Sequence, residues 1–334
     1  MTPKSVTPKP LAATRPLWQR LALRRLKFLA FIAALLAVVL GGSYLFAPQW
    51  LMQAEVKRQA MNAHVDKHSV QVGDTRWVYF EGGQGPTLLL LHGFDASKEV
   101  WLKQLELLTP HFHVIAPDLP GWGESSRVEG ASYNIDAQVA RLQGFVDALH
   151  LPRFVLIGHS MGGAIAGVYA AEHSDHVAEL ALFDSFGLKA DENDFSRHAL
   201  AGKNPFEYDN REEFAKATAL AFAKPLDLPG RFQDVLIKRN QDNRAFIERT
   251  FNELREPSQY LSLQNRLDQL AMPVLGLWCH DDKITDISAL DSLRNGLKSA
   301  SAISTSTLNG CNHMPILEKP EETARILTAF ALSH

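Results

Sequence analysis

A serine flanked by glycines carries the strongest chemical signal in this sequence. Ser160 is the middle residue of Gly-His-Ser-Met-Gly at 158–162, which follows the apolar run 154–157 and precedes the helix-prone run 164–171. A serine on such a strand-to-helix turn is held in a strained backbone conformation, with its hydroxyl pointing out of the sheet. The N-terminal N–H groups of the helix then lie beside it. The pattern therefore predicts a nucleophile at Ser160.

An aspartate and a histidine further along the chain can activate that serine. Asp282 and His313 each follow a predicted strand, so the chain order is Ser, Asp, His. A serine hydroxyl is a weak nucleophile unless an imidazole accepts its proton during attack. A carboxylate on the far side of the ring holds the imidazole in the correct tautomer. We expect His313 to be the general base and Asp282 to orient it.

Two backbone N–H groups are the expected oxyanion hole. Attack on an ester carbonyl creates a negatively charged oxygen that needs fixed hydrogen-bond donors. One expected donor is the N–H of Met161, the residue after the nucleophile. The other is expected from the loop after the apolar strand 87–91, at Phe94.

Other acids and histidines near these motifs leave alternatives open. Asp281 precedes Asp282 directly and is the alternative acid, and Asp184 also follows a predicted strand, at a different position in the sheet. His92 and His159 flank the predicted site. Both histidines are expected to support the loops rather than to act on the substrate.

The two cysteines of the chain lie close to the predicted acid and base. Cys279 comes three residues before Asp282, and Cys311 comes two residues before His313, at the ends of strands expected to be neighbours. In an oxidising compartment they would form a disulfide that joins the two loops. Two free, partly buried thiols are the alternative. Two cysteines cannot form a four-thiolate metal site, and the histidines show no metal-ligand spacing, so no metal and no cofactor is expected.

Strands that alternate with helices must position these groups. Predicted strands lie at 69–81 (a hairpin), 87–91, 113–117, 154–157, 177–183, 273–278 and 302–308. This alternation is typical of an α/β fold with a mostly parallel sheet flanked by helices, whose sites lie beyond the carboxyl ends of the strands. The alternation stops over 187–270, where helix-prone segments are interrupted by prolines. We therefore predict a core of residues 69–186 and 271–334 with an inserted helical cap of residues 187–270.

Several motifs together resemble the α/β-hydrolase superfamily. They are His92-Gly93-Phe94, Asp118–Ser125, Gly158–Gly163, Asp281-Asp282 and His313–Glu318. The resemblance covers residues 69–334, and parts of it are similar to bacterial lipases and to membrane-anchored phospholipases A. It implies the α/β-hydrolase fold and hydrolysis of carboxylic esters of acyl chains. The family spacing from Trp278 favours Asp282 over Asp281 as the acid.

The N-terminal region has the composition of a membrane anchor. Residues 1–27 contain seven basic residues and no acidic one, and residues 28–47 carry no charge. Twenty apolar residues in a helix can cross a hydrocarbon core of roughly 30 Å. The positive-inside rule then predicts a cytoplasmic segment 1–27 and a single-pass signal-anchor helix 28–47. A cleaved signal peptide is the alternative, although this apolar run is longer than the usual h-region.

Residues 48–68 are predicted to form a juxtamembrane helix. The small residues Gly41-Gly42-Ser43 would allow two membrane helices to approach closely, which suggests a homodimer through the transmembrane and juxtamembrane helices. With the resemblance to bacterial enzymes, the anchor predicts a location in the bacterial inner membrane. The catalytic domain would then be periplasmic.

Charge and motifs together favour one function over its alternatives. The net charge of −3 gives no sign of a nucleic-acid partner. We expect a membrane-anchored serine ester hydrolase that acts on lipid acyl esters, as a phospholipase A or an acylglycerol lipase, through a Ser-His-Asp triad and an acyl-enzyme. The alternatives are a carboxylesterase for small soluble esters and a non-catalytic binding protein with the same fold.

Overall fold

The computed structural model describes residues 16–333, so most of the predicted basic segment, residues 1–15, lies outside the described residues. The chain divides after Leu51 into two compact units.

The first unit is dominated by one long helix. Helix α1 spans Leu17–Phe46, and none of its residues is buried within the chain. It is long and apolar enough to cross a membrane. It begins eleven residues before the predicted membrane segment, because residues 17–27 contain no proline or glycine and are rich in leucine and arginine, which favour helices. Pro16 precedes its first residue, and the helix ends one residue before Ala47-Pro48.

The juxtamembrane helix is shorter than predicted. Helix α2 spans Pro48–Asn62, and the first strand already begins at Val65, so the predicted helical boundary at residue 68 is wrong. His64, with a φ of 51°, turns the chain between the two elements. The residues after it form a full antiparallel ladder with the next strand, and these pairings outweigh the local helical composition.

An eight-stranded sheet forms the centre of the second unit. Its strands are β1 (Val65–Val72), β2 (Thr75–Gly82), β3 (Thr87–Leu91), β4 (His113–Pro117), β5 (Phe154–His159), β6 (Val177–Phe183), β7 (Val274–Cys279) and β8 (Ile303–Leu308). The spatial order is β1-β2-β4-β3-β5-β6-β7-β8. Strand β2 is antiparallel to both of its neighbours, and strands β3 to β8 are parallel. The carboxyl ends of β5, β6, β7 and β8 therefore meet at one edge.

Helices cover both faces of this sheet. They are α3 (Leu102–Leu108), α4 (Ile135–Ala148), α5 (Met161–Glu172), α10 (Ser288–Gly296), α11 (Pro315–Glu318) and α12 (Pro320–Ala331). Strand β3 is buried on both sides: Leu89 and Leu91 pack in one core cluster, which includes residues of α4 and α5. Leu88 and Leu90 pack in the other, with residues of α3 and α12. A continuous apolar run is what a central parallel strand requires.

The segment between β6 and β7 is helical, as the cap prediction requires. It contains α6 (Asp194–Leu200), α7 (Arg211–Ala221), α8 (Gly230–Arg255) and α9 (Pro257–Tyr260), and it contains no strand. Phe246 of α8 packs edge-on against Trp122 and Tyr133, with ring centroids 4.8 and 4.9 Å away. The long helix of this segment therefore rests on core loops.

Candidate active site

Ser160 occupies a strained turn between β5 and α5. Its backbone has φ 54° and ψ −121°, a region that a residue with a side chain rarely adopts. A Cβ at Gly158 would lie 2.2 Å from the carbonyl oxygen of Gly162, and a Cβ at Gly162 would lie 2.4 Å from that of Leu91. Both contacts are with backbone, which cannot move aside. The two glycines of the motif are therefore required for the turn to form.

The loop after β3 lies directly beside this turn. A Cβ on Gly93 would meet the Cβ of Ser160 at 3.1 Å. His92 holds the loop: its Nε2 accepts the N–H of Leu119 at 3.0 Å, so its Nδ1 carries the hydrogen and donates to the Gly93 carbonyl at 2.8 Å. His92 thus has the supporting position expected from the sequence.

The two predicted oxyanion donors, Phe94 and Met161, belong to the two segments that meet at Ser160. Met161 is the first residue of α5, and Phe94 follows the close contact at Gly93. In the part of the chain that the structure describes, neither backbone N–H donates a hydrogen bond. An oxyanion hole requires backbone N–H groups that are free to donate to a substrate oxygen, and these two N–H groups meet that condition.

Asp282 and His313 form a buried pair. Oδ2 of Asp282 lies 2.8 Å from Nδ1 of His313, and the two side chains are 0% and 5% exposed. Oδ1 of Asp282 accepts the N–H groups of Ile284 and Thr285 at 2.7 and 3.0 Å. Burial alone would raise the pKa of Asp282, but the charge of His313 and hydrogen bonds with the side chains of His313 and Thr285 outweigh burial and lower the pKa. Asp282 is therefore ionised, as an acid that supports an imidazolium must be.

The competing acids have different environments. The side chain of Asp281 is 62% exposed and pairs with His280 at 2.9 Å, so it faces away from His313. Asp184 is fully buried, and one ligand-capable atom each of Asp184, Asp282 and His313 lie within 4.8 Å of one another. Residues of these types can coordinate a metal, and within the trio Nδ1 of His313 is hydrogen-bonded to Oδ2 of Asp282.

His159 connects the loop of His313 to the turn of Ser160. Its Nε2 lies 2.7 Å from the carbonyl oxygen of His313, so this nitrogen carries the hydrogen. Burial, with a contribution from His313, lowers the pKa of His159 to about 3. His159 is therefore neutral. Because it directly precedes Ser160, its hydrogen bond holds the backbone of His313 close to the turn of Ser160.

A disulfide joins Cys279 to Cys311, with Cα atoms 5.5 Å apart. Cys279 is the last residue of β7, three residues before Asp282. Cys311 lies in the loop that leads to His313. The bond therefore connects the loops that carry the acid and the imidazole.

Sequence reasoning missed two side chains that shape this site. The hydroxyl of Thr285 lies 2.7 Å from Oδ2 of Asp282. Asn312 bridges two segments, because its Oδ1 accepts the N–H of Lys283 and its Nδ2 donates to the carbonyl of Leu220, at 2.9 and 2.8 Å. A threonine three residues after an aspartate can form a local side-chain hydrogen bond, which was the available signal for Thr285. Nothing local marks Asn312.

Comparison with known proteins decides the family. Residues 86–320 match the family described as the alpha/beta hydrolase fold. The chain belongs to the α/β-hydrolase family. Within it, this α/β-hydrolase is 30% identical over 261 residues to monoacylglycerol lipase ABHD6 of Homo sapiens, a match that covers 75% of this chain and 77% of the relative. It is 28% identical over 280 residues to Lipase 1 of Psychrobacter immobilis, covering 83% and 86%.

A solved structure extends the similarity to most of this α/β-hydrolase. The crystal structure of a membrane phospholipase A, described as a bacterial virulence factor, superposes with a TM-score of 0.81 and 36% sequence identity. The match covers 91% of this chain and 97% of the other. The two proteins therefore share their fold over most of their length.

Proposed function

We propose that this chain is a serine ester hydrolase that cleaves acyl chains from lipids, as a phospholipase A or an acylglycerol lipase, while held at a membrane by α1. The observation that carries the proposal is the buried Asp282–His313 pair, together with the hydrogen bond from His159, in the turn of Ser160, to the backbone of His313. The proteins that resemble this chain include lipases and a phospholipase, which supports the choice of lipid esters as substrates.

The proposed reaction has two halves. His313 accepts the hydroxyl proton of Ser160 as its Oγ bonds to the ester carbonyl carbon, and the resulting oxyanion accepts hydrogen bonds from the N–H groups of Phe94 and Met161. The C–O bond of the ester then breaks, and His313 returns the proton to the departing alcohol oxygen. Water hydrolyses the acyl-enzyme by the same proton transfers in reverse order, which releases the fatty acid and restores Ser160.

Aromatic side chains next to the oxyanion loop support an acyl-chain substrate. The ring of Phe94 has its centroid 5.1 Å from that of Trp122, 5.8 Å from Phe206 and 6.1 Å from Phe251. Phe206 and Phe251 belong to the helical segment between β6 and β7. An apolar surface formed jointly by the core and this cap segment suits a hydrocarbon chain better than a small polar ester.

The decisive experiment measures fatty-acid release from mixed phospholipid vesicles, monoacylglycerol micelles and short soluble esters. The full-length protein is compared with Ser160→Ala, and labelling by a fluorophosphonate probe reports the state of the nucleophile. Release from lipid that requires Ser160 supports the proposal. Probe labelling with activity confined to short esters would make the protein a tethered esterase. Absence of both labelling and hydrolysis would leave a binding protein.

The proposal includes a single-pass topology with residues 1–27 in the cytoplasm and the catalytic domain in the periplasm of a bacterial inner membrane. The basic N-terminal residues and the length of α1 support it. The disulfide also supports it, since such bonds persist in oxidising compartments. Protease added to spheroplasts should degrade the catalytic domain while a tag before residue 1 survives. The reverse protection pattern would contradict this topology.

A homodimer through α1 and α2 is part of the same proposal. Gly41 and Gly42 present open surface, with no atom within 4 Å of a Cβ built on either residue, and small residues let membrane helices approach closely. Cross-linking of the full-length protein in membranes should give a dimer band. The band should weaken in Gly41→Leu/Gly42→Leu and persist in the matched change Ala37→Leu/Val38→Leu. An equal loss in both variants would contradict a specific role for the glycines.

A further inference from the structure

A second buried carboxyl group lies against the proposed acid of the triad. Asp184 directly follows β6, its backbone φ is 43°, and its side chain is fully buried. One ligand-capable atom of this residue lies within 4.8 Å of those of Asp282 and His313. The reaction proposed above does not use Asp184, although few positions are closer to its proton-transfer groups.

The hydrogen bonds of Asp184 indicate where its proton is. Its Oδ1 accepts the N–H of Cys279 at 2.9 Å. Its Oδ2 is buried and has no hydrogen-bond partner among the described residues, and one oxygen of Asp184 lies within 4.8 Å of one oxygen of Asp282. Two ionised carboxylates buried this close together repel each other and can only accept hydrogen bonds, so a proton on one of them removes the repulsion and supplies a donor. An oxygen that donates its own proton needs no other donor.

The surroundings of the two groups decide which one is protonated. Asp282 faces two backbone N–H groups, the hydroxyl of Thr285 and the imidazole of His313, all of which stabilise its ionised form. Asp184 accepts one N–H. Burial first, and then the charge of Asp282, raise the pKa of Asp184 well above its usual range, and Glu318 adds charge of the same sign. The titratable groups around the pair are thus Glu318, His313 and His159.

We propose that Asp184 is a positioning residue whose carboxyl group stays protonated and donates a hydrogen bond to the carboxylate of Asp282. Asp184 thereby adds a contact from β6 to an acid that β7 carries. It also disperses part of the negative charge that Asp282 presents to His313. The inference rests on the proposed function of Ser160, His313 and Asp282.

Two substitutions separate a neutral donor from an ionised acid. Asp184→Asn keeps one acceptor and one donor in nearly the same volume, and asparagine tolerates a positive φ. Asp184→Gly keeps the backbone conformation and removes both groups. On a soluble short-chain ester, with active sites counted by a fluorophosphonate, kcat should fall roughly tenfold or more in D184G with little change in KM. D184N should recover most of that loss.

The pH profile adds a readout that a packing role would not change. Without a donor, Asp282 stabilises the imidazolium of His313 more strongly, so the acid limb of kcat/KM should move to higher pH in D184G and stay in place in D184N. An unmoved limb in a folded D184G would overturn the proposal. So would a loss of 100-fold or more in D184N at an unchanged melting temperature, since that result requires an ionised Asp184.

Infrared spectroscopy tests the proton without any need for activity. The wild-type minus D184N difference spectrum in D₂O at pH 8 should show the carbonyl stretch of a protonated carboxylic acid, and the wild-type minus Glu318→Gln spectrum should not. Absence of that band from the D184N difference would overturn the proposal. If the wild type hydrolyses no ester, the proposed function fails, while this spectrum still determines the protonation of Asp184.

Discussion

At the scale of single residues, the site depends on backbone positions that exclude side chains. The turn at Ser160 is strained, and its formation requires Gly158 and Gly162, where a Cβ would overlap main-chain atoms. The overlap is with a neighbouring carbonyl group in each case. A flexible side chain could move away from such a contact, but backbone held in a sheet and a helix cannot.

Gly158→Ala tests the role of the turn. We expect a loss of stability of about 2 kcal/mol or more, because the new methyl group would lie 2.2 Å from the Gly162 carbonyl oxygen. Ester hydrolysis should fall by more than the folded fraction does. Gly144→Ala is the matched control, since its Cβ meets only the tip of Val72. Urea unfolding and probe labelling measure both effects, and equal behaviour of the two variants would contradict the prediction.

Asp95 gives a pH-dependent prediction at the same scale. It follows Phe94, and its Oδ2 lies 3.3 Å from Nδ2 of Asn240 in α8. Burial raises the pKa of Asp95 to about 6, against partial compensation by Arg239, Asn240 and Arg127. Between about pH 4 and pH 6, Asp95 is therefore protonated in the folded protein and ionised in the unfolded chain. The stability from this proton is complete below pH of about 4 and is lost as the pH rises through 6.

Asp95→Asn should remove that dependence. Relative to the wild type, the variant should gain up to about 2 kcal/mol of stability above pH 7, a figure reduced for the partial exposure of the side chain, and this gain should disappear toward pH 4. Thermal or urea unfolding at several pH values measures it, with exposed Asp66→Asn as the control. A gain that is constant from pH 4 to 8 would contradict the raised pKa.

At the scale of elements, a buried ion cluster fixes the loop that follows β4. Nζ of Lys98 lies 2.7 Å from Oδ2 of Asp118 and 2.7 Å from Oε2 of Glu124. Asp118 also accepts the backbone N–H groups of Lys98 and Glu124, at 2.7 and 2.8 Å. The Lys98 and Asp118 side chains are fully buried. Their main effect is therefore positional, since desolvation offsets much of the attraction between buried charges.

Asp118→Leu should be strongly destabilising. It leaves the Lys98 ammonium buried with only the half-exposed Glu124 as a partner, and breaking such a pair costs about 3–5 kcal/mol. The double variant Lys98→Met/Asp118→Leu should recover much of the loss, because no charge is then left buried. Urea unfolding tests both, with Glu55→Ala at the exposed Arg58 pair as the control. A double variant no more stable than the single one would contradict this explanation.

The disulfide connects two further elements, β7 and the loop after β8. It closes a loop with a sequence separation of 32 residues, which in the chain-entropy model stabilises the fold by about 3–4 kcal/mol. Dithiothreitol should therefore lower the unfolding midpoint of the wild type and reduce hydrolysis. Cys279→Ala/Cys311→Ala should start from the lower midpoint and not respond to the reductant. Equal midpoints for oxidised and reduced wild type would refute this role.

At the scale of the whole molecule, one chain combines a membrane-type helix with an α/β-hydrolase unit. Helix α1 exposes its large apolar side chains along its length, including Phe28, Phe31, Leu36 and Val39. Exposed apolar surface of this extent is costly in water and favourable in hydrocarbon. The composition of α1 is therefore consistent with a helix that lies in a bilayer.

Charges placed in the middle of α1 should release the protein from membranes. Leu36→Arg/Val39→Arg adds about 5–7 kcal/mol to the free energy of insertion, from about 2.5–3.5 kcal/mol for each arginine. We expect the variant in the soluble fraction after carbonate extraction, with its activity on short soluble esters retained. Phe46→Arg, at the end of the helix, should remain in the membrane. Retention of the double variant would show that other surfaces anchor the protein.

Local sequence determined the chemistry-bearing turn, the strands and the anchor helix. The Gly-x-Ser-x-Gly motif between an apolar run and a helix-prone run predicts a strained turn, continuous apolar runs predict buried parallel strands, and a long uncharged run predicts a helix that suits a bilayer. These properties arise within about twenty residues of chain. They could therefore be predicted before any long-range contact was known.

Only the tertiary structure decided which groups meet. Asp281 and Asp282 are adjacent residues of the same type, so local sequence does not distinguish them. The path of the chain after β7 exposes Asp281 to solvent and places Asp282 against His313. The antiparallel ladder with β2 moved the start of β1 to Val65. Asp184 reaches Asp282 because β6 and β7 are neighbours in a sheet whose order local sequence does not encode. Asp282 and His313 are 31 positions apart in the chain, and Asp184 and Asp282 are about a hundred apart, so hydrophobic periodicity carries no information on these contacts.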